Sequence, residues 1–278
     1  MAEPFLLKEI PDALLEEAVS GIKDFTTAFV SGLTQVGSGT FVVVNGRHGI
    51  LTAEHVWETI CNLSLNEPMI SIVISQEPHR FEIPVRELVP HVNLGYDTEG
   101  NAPDIQFLEI PKAKAGIIGA RKSFVNLSKG RSSRVDFAQS DLGFVVIAGF
   151  PTEFSPEPKV EASGDYLVSL RGGFVSGLER RWVKGEFDFF ETKGDRHAKG
   201  VPSDYGGVSG AGVWRVELKK KPGVPITEAR VGRYVFMGVS FFQRFADDDT
   251  MFVRHNGPET VYNALGRIIA EYDAPVGN

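Results

Sequence analysis

Over residues 12–23 (DALLEEAVSGIK) apolar side chains recur at helical spacing behind Asp12, a residue suited to N-capping, so the pattern predicts a short helix. From about residue 26 the period changes. FTTAFVSG, GTFVVVN and HGILTA are short β-branched and aromatic runs, the last two joined by Asn45-Gly46, the strongest short hairpin signal. Further strands are predicted over 70–75, 80–85, 104–110, 142–149, 165–171, 186–191, 212–218 and 233–241. The charged stretch 179–200 reads as an exposed hairpin or long loop. Near the end, Val261, Leu265, Ile268 and Ile269 share one face of PETVYNALGRIIAEY, an amphipathic helix over 258–272 with proline near its start. A short helix, many strands and a terminal helix argue for a barrel or sandwich and against alternating βαβ units.

Composition narrows this only a little. Thirty glycines, sixteen prolines and twenty phenylalanines in 278 residues suit an all-β protein with many turns and bulky core residues. A formal net charge of -7 argues against a sequence-independent grip on nucleic acid. Cys61 is the single cysteine, so no intramolecular disulfide forms, and no signal peptide or membrane-spanning run is evident. The expected address is the cytoplasm. The histidines show no paired metal-ligand spacing, so neither a metal nor a cofactor is expected.

Three short stretches carry chemistry. GSGTF (37–41) leads through the Asn-Gly hairpin to ILTAEHV (50–56), a strand whose end holds His55. PDIQFLEI (103–110) sets Asp104 at the head of an alternating strand, and GVSGAGVW (207–214) sets Ser209 between glycines. Singly, each is weak: a histidine after a strand, a strand-leading aspartate and a serine in a glycine loop are ordinary features. Asp97, in LGYDTEGN, competes with Asp104 but lies in glycine-rich surroundings that favour a loop.

Together, in the order His, Asp, Ser, these stretches resemble the signature segments of the trypsin-like (chymotrypsin-fold) serine peptidases, most closely their bacterial, disulfide-free members. The likeness runs from about Phe25 to the C-terminal helix. It implies two six-stranded antiparallel β-barrels, with residues 1–24 as a helical extension, 25–130 as the first barrel and 131–278 as the second barrel plus terminal helix. It also implies an endopeptidase in which Ser209 attacks, His55 is the general base and Asp104 orients it, with the N–H groups of Gly207 and Ser209 as oxyanion hole. By the same resemblance Ser203, Asp204, Ser240, Phe241 and Phe242 are the substrate-binding positions, with Ser240 near Asp104 and Phe242 narrowing the pocket. The partner is then a protein or peptide substrate, with a regulatory protein as a second candidate and neither nucleic acid nor membrane. A trypsin-like scaffold used for binding, shut until a partner opens it, is the alternative.

Two positions depart from the family. Val208 stands where digestive members carry the aspartate that pairs with a newly cleaved N-terminus, so activation by that cleavage is not expected. Glu54 replaces an alanine beside His55; buried there, it would raise the histidine pKa.

Overall fold

Asn45 and Gly46 both take positive φ, 50° and 83°, the primed turn whose twist matches the strands it joins. They connect β2 (Thr34–Val44) to β3 (Arg47–Thr52), with Val44 opposite Arg47. The computed structural model describes residues 10–74, 80–92, 94–129, 143–154, 159–160, 166–167, 174–197, 201–246 and 249–272.

The first sheet has eight strands. β1 (Thr26–Ser31), β4 (Met69–Val73), β5 (Arg80–Pro84), β6 (Val89–Pro90), β7 (Gln106–Glu109) and β8 (Val125–Asn126) join β2 and β3 in the order β5-β4-β1-β2-β3-β7-β6, with β8 on β2. This sheet is the first, half-closed barrel of the expected chymotrypsin-like fold, with eight strands instead of six and outer strands, β5 and β6, that do not pair among the described residues. Two helices cover its apolar side. Ile60 of α2 (Glu54–Ser64) and Ala115 and Ile118 of α3 (Lys112–Gly119) pack with Phe41, Ile50 and Leu108 of the sheet.

The second unit closes. β9 (Gly143–Ala148), β12 (Phe174–Lys184), β13 (Phe187–Asp195), β14 (Gly212–Lys219), β15 (Arg230–Phe245) and β16 (Thr250–Asn256) form a barrel ordered β12-β13-β16-β15-β14-β9. Register shifts within the β14–β15 and β15–β16 pairs let the sixteen-residue β15 bend around it. A separate two-stranded pair, β10 (Lys159–Val160) and β11 (Tyr166–Leu167), holds the part of the expected 165–171 strand that is described; the rest of that stretch lies outside the described residues.

The stretch read as an exposed hairpin or long loop over 179–200 is a hairpin whose second arm is barrel wall, with residues 198–200 outside the described residues. β12 and β13 form a hairpin, and Phe189, Phe190, Glu191 and Thr192 are buried.

α1 (Asp12–Ile22) begins with Pro11 as its cap, and Asp12 makes no capping hydrogen bond. Asp12 instead sits in the first turn, where a carboxylate faces the positive end of the helix dipole. Leu14, Ala18 and Ile22 are buried with Val42, Trp214 and Leu265, so this helix is core to both sheet and barrel. The C-terminal helix runs through a π-helical turn (Thr260–Ala264) into α4 (Leu265–Tyr272). Among the described residues no helix is long and apolar enough to cross a membrane.

Candidate active site

β3 and β7 are antiparallel neighbours with Thr52 opposite Gln106. His55 lies three residues past one partner and Asp104 two before the other, so pairing delivers both to the same edge. His55 Nδ1 and Asp104 Oδ2 are 2.6 Å apart. The other carboxylate oxygen, Oδ1, accepts the His55 backbone N–H at 3.2 Å, one of the first-turn donors of α2 that has no partner inside the helix. Asp104 is buried, its carbonyl accepting from Asn256 Nδ2 at 3.1 Å, whereas the imidazole is 30% exposed and reaches the cleft. Asp97 is otherwise engaged, its Oδ1 accepting the N–H groups of Glu99 and Asn101 in a turn. Tyr96, a residue the sequence did not single out, meets His55 edge-on with ring centroids 5.7 Å apart.

Ser209 stands in a turn whose peptides are held one after another. The Gly206 carbonyl accepts from Thr152 N at 2.7 Å, Val208 N donates to Tyr205 O at 2.9 Å, and Ala211 N donates to Val208 O at 2.8 Å. Gly210 N donates to Ser240 O at 2.8 Å. Gly207 has φ +83°, and a Cβ there would lie 2.7 Å from the Phe150 carbonyl, so both conformation and space call for glycine. The backbone N–H groups of Gly207 and Ser209 donate to no acceptor among the described residues. The Val208 side chain is buried among Tyr205, Ala211 and Val213, so packing adds to the backbone hydrogen bonds that hold the turn.

His55, Asp104 and Ser209 line one cleft of about 330 Å³. No hydrogen bond joins the Ser209 hydroxyl to His55 among the described residues. Ser240, Phe241 and Phe242 also line the cleft, as do Tyr205 and Gln243, which sequence reasoning missed. Ser203 and Asp204 do not. Glu153 Oε2 accepts from Ser203 N and Oγ, both at 2.8 Å, and from Asp204 N at 3.1 Å, while Asp204 Oδ1 accepts from the lining residues Gly206 N at 2.6 Å and Gln243 Nε2 at 3.2 Å. The Ser240 hydroxyl bonds His255 Nδ1 at 2.9 Å instead of Asp104, and Thr192 Oγ1 meets His255 Nε2 at 2.9 Å. Burial holds that histidine down at about 3, so it is neutral. Phe242 turns toward the first sheet, against Gly100 and 5.1 Å from the Arg254 guanidinium.

Glu54 is buried, with Oε2 accepting from Gln106 Nε2 at 2.9 Å. Burial lifts its carboxyl from 4.5 to about 7; the charges of Asp104 and then Glu58 add to the rise, and the Gln106 bond opposes it. A carboxyl whose folded value lies above its unfolded one destabilises the fold as it ionises. That destabilisation is absent below about pH 4.5, grows toward pH 7 and is complete above it. Glu54→Gln is thus expected to raise the melting temperature at about pH 8 and to leave it little changed at about pH 4. Calorimetry at the two pH values checks this, and an equal shift at both would contradict it.

No family profile and no curated protein matches the chain. Among solved structures it is similar to neuropsin, a serine protease of mouse brain, with 12% identity, 90% of this chain and 95% of that one covered, and a TM-score of 0.49. It is also similar to the serine protease domain of the Sesbania mosaic virus polyprotein, at 13% identity, 86% and 91% coverage and a TM-score of 0.42. A serine endoprotease from Yersinia pestis is a third, at 12% identity, 92% and 67% coverage and a TM-score of 0.45.

Proposed function

We propose that the chain is a trypsin-like serine endopeptidase that cuts protein or peptide substrates through an acyl-enzyme on Ser209. The observation that carries this reading is the 2.6 Å contact between His55 Nδ1 and Asp104 Oδ2 in the cleft that Ser209 also lines. In it, Asp104 holds the proton on Nδ1, which leaves Nε2 as the basic nitrogen for the serine proton and then the donor to the leaving amine. The uncommitted N–H groups of Gly207 and Ser209 fit a role as donors to the oxyanion. Cys61 is a poor rival nucleophile, because burial and then the charges of Glu54 and Glu58 push its thiol up.

A second reading has one observation in its favour. Among the described residues the Ser209 hydroxyl makes no hydrogen bond to His55, as suits a scaffold that a partner must complete. Incubation with an unfolded protein separates the two: the peptidase reading expects fragments from the wild type and none from Ser209→Ala. An intact substrate with folded wild type, restored to cleavage by no change of pH, would overturn it in favour of the scaffold.

A further inference from the structure

Val208 leaves the turn without an ion pair, and something other than charge must fix how its peptides face. We propose that Ser38 and Gln35, both on β2, are positioning residues that lock the Gly207–Ser209 turn in its donor-presenting conformation; this rests on the peptidase reading. Ser38 is completely buried. Its Oγ accepts the Phe150 N–H at 3.0 Å, which commits its own proton to the Gly207 carbonyl at 2.7 Å. Its backbone N–H donates to the Ser209 carbonyl at 2.8 Å, and its carbonyl accepts from Thr52 Oγ1 at 2.8 Å. Gln35 Nε2 donates to the carbonyls of Phe150 and, at 3.4 Å, Gly207.

One residue of the first sheet therefore holds the carbonyls on both sides of Val208-Ser209. A trans peptide is planar, so pinning the Gly207 and Ser209 carbonyls toward β2 turns the Val208 and Gly210 N–H groups the opposite way, onto Tyr205 O and Ser240 O, and so fixes the two peptides on either side of the one that carries the Ser209 N–H. The Gly207–Val208 peptide is held at both ends, by Ser38 Oγ on its carbonyl and Tyr205 O on its N–H. With that peptide fixed, Gly207 keeps its positive φ and its own N–H stays unpaired. Without the Ser38 hydroxyl, the Phe150 N–H loses its partner in a buried site and the Gly207 carbonyl keeps only the 3.4 Å contact from Gln35, so the peptide gains a reason to rotate.

The test is steady-state kinetics of Ser38→Ala and Gln35→Met beside wild type, with the affinity of a peptide aldehyde, which forms an oxyanion on Ser209. Losing one oxyanion donor outright lowers kcat by about 10²–10³-fold. For Ser38→Ala the expected loss is on the order of 10–100-fold in kcat with KM little changed, and aldehyde affinity falls in parallel with kcat/KM. Gln35→Met, which keeps the serine lock, is expected to lose less. The downfield proton of the His55–Asp104 bond in NMR is expected to stay in place, which a general loss of packing would not allow. Unchanged kcat in a folded Ser38→Ala, or a loss confined to KM, would overturn the lock while leaving the peptidase reading intact. An inactive wild type that binds no aldehyde would instead overturn that reading, and the lock with it.

Discussion

His55→Ala is expected to lower kcat by about 10⁶-fold, the scale seen when the base of a serine triad is removed. The physical reason is the serine hydroxyl, which is not ionised at neutral pH and attacks a carbonyl only if its proton has somewhere to go. Asp104→Asn isolates the second half of the argument. An amide at 104 presents an N–H where the carboxylate accepts from Nδ1, so the imidazole takes the other tautomer and its Nε2 can no longer receive the proton; the expected fall is about 10⁴-fold. Both variants are expected to leave KM close to wild type, because neither residue grips the substrate. Initial rates on a fluorogenic peptide check this, and a His55→Ala enzyme within tenfold of wild type would contradict it.

Glu191→Ala is expected to have the largest effect on stability. The Glu191 side chain is fully buried and accepts from Arg180 Nε at 2.7 Å, Arg244 Nη2 at 3.0 Å and Arg254 Nη2 at 3.1 Å. Arg254 is itself buried, and beyond Glu191 it donates to the carbonyls of Glu99 and Gly100 and lies over Trp182 and Phe242. Removing the carboxylate strands that guanidinium in the barrel wall, which costs about 3–5 kcal/mol and lowers the melting temperature on the order of 10 °C. Burial acts to raise the Glu191 carboxyl, but hydrogen bonds from Arg244, Arg180 and Arg254 outweigh it and hold the group at about 2, below its ordinary 4.5. A carboxyl depressed in the fold stabilises above its unfolded value and loses that stabilisation as pH falls from about 4.5 toward 2. The gap between wild type and Glu191→Ala therefore narrows in that window. Scanning calorimetry across pH reads both effects, and a gap that widens on acidification would contradict the assignment.

The network also marks the limit of what the sequence could disclose. β16 (TMFVRHN) is not announced by the sequence because Arg254, His255 and Asn256 are buried polar residues, each bonded to a distant partner, and alternation of apolar and polar positions cannot flag them. Over 179–200 the pattern gives the hairpin but not the depth of its second arm: Glu191 and Thr192 are both buried, on opposite faces of β13, while Arg180 and Arg181 crowd the sequence with charge. His55, Asp104 and Ser209 stand out only together, in the order His, Asp, Ser, since each alone is an ordinary strand-end or glycine-turn residue; the fold brings all three to one cleft. Ser203 and Asp204 were not correctly placed, since counting back along the chain from Ser209 says nothing of Glu153, some fifty residues away, which takes hold of both. Ser38 was visible within GSGTF, but its partner Gly207 is distant in the chain, and only the folded register brings the two together.

The central claim is that Ser209 is an activated nucleophile, and covalent labelling tests it most directly. Wild type treated with a fluorophosphonate is expected to gain one adduct, mapped by mass spectrometry to the peptide containing Ser209 and absent from Ser209→Ala. His55→Ala is expected to label far more slowly. An adduct that persists at another residue in Ser209→Ala, or a folded wild type that takes up none, would contradict the account.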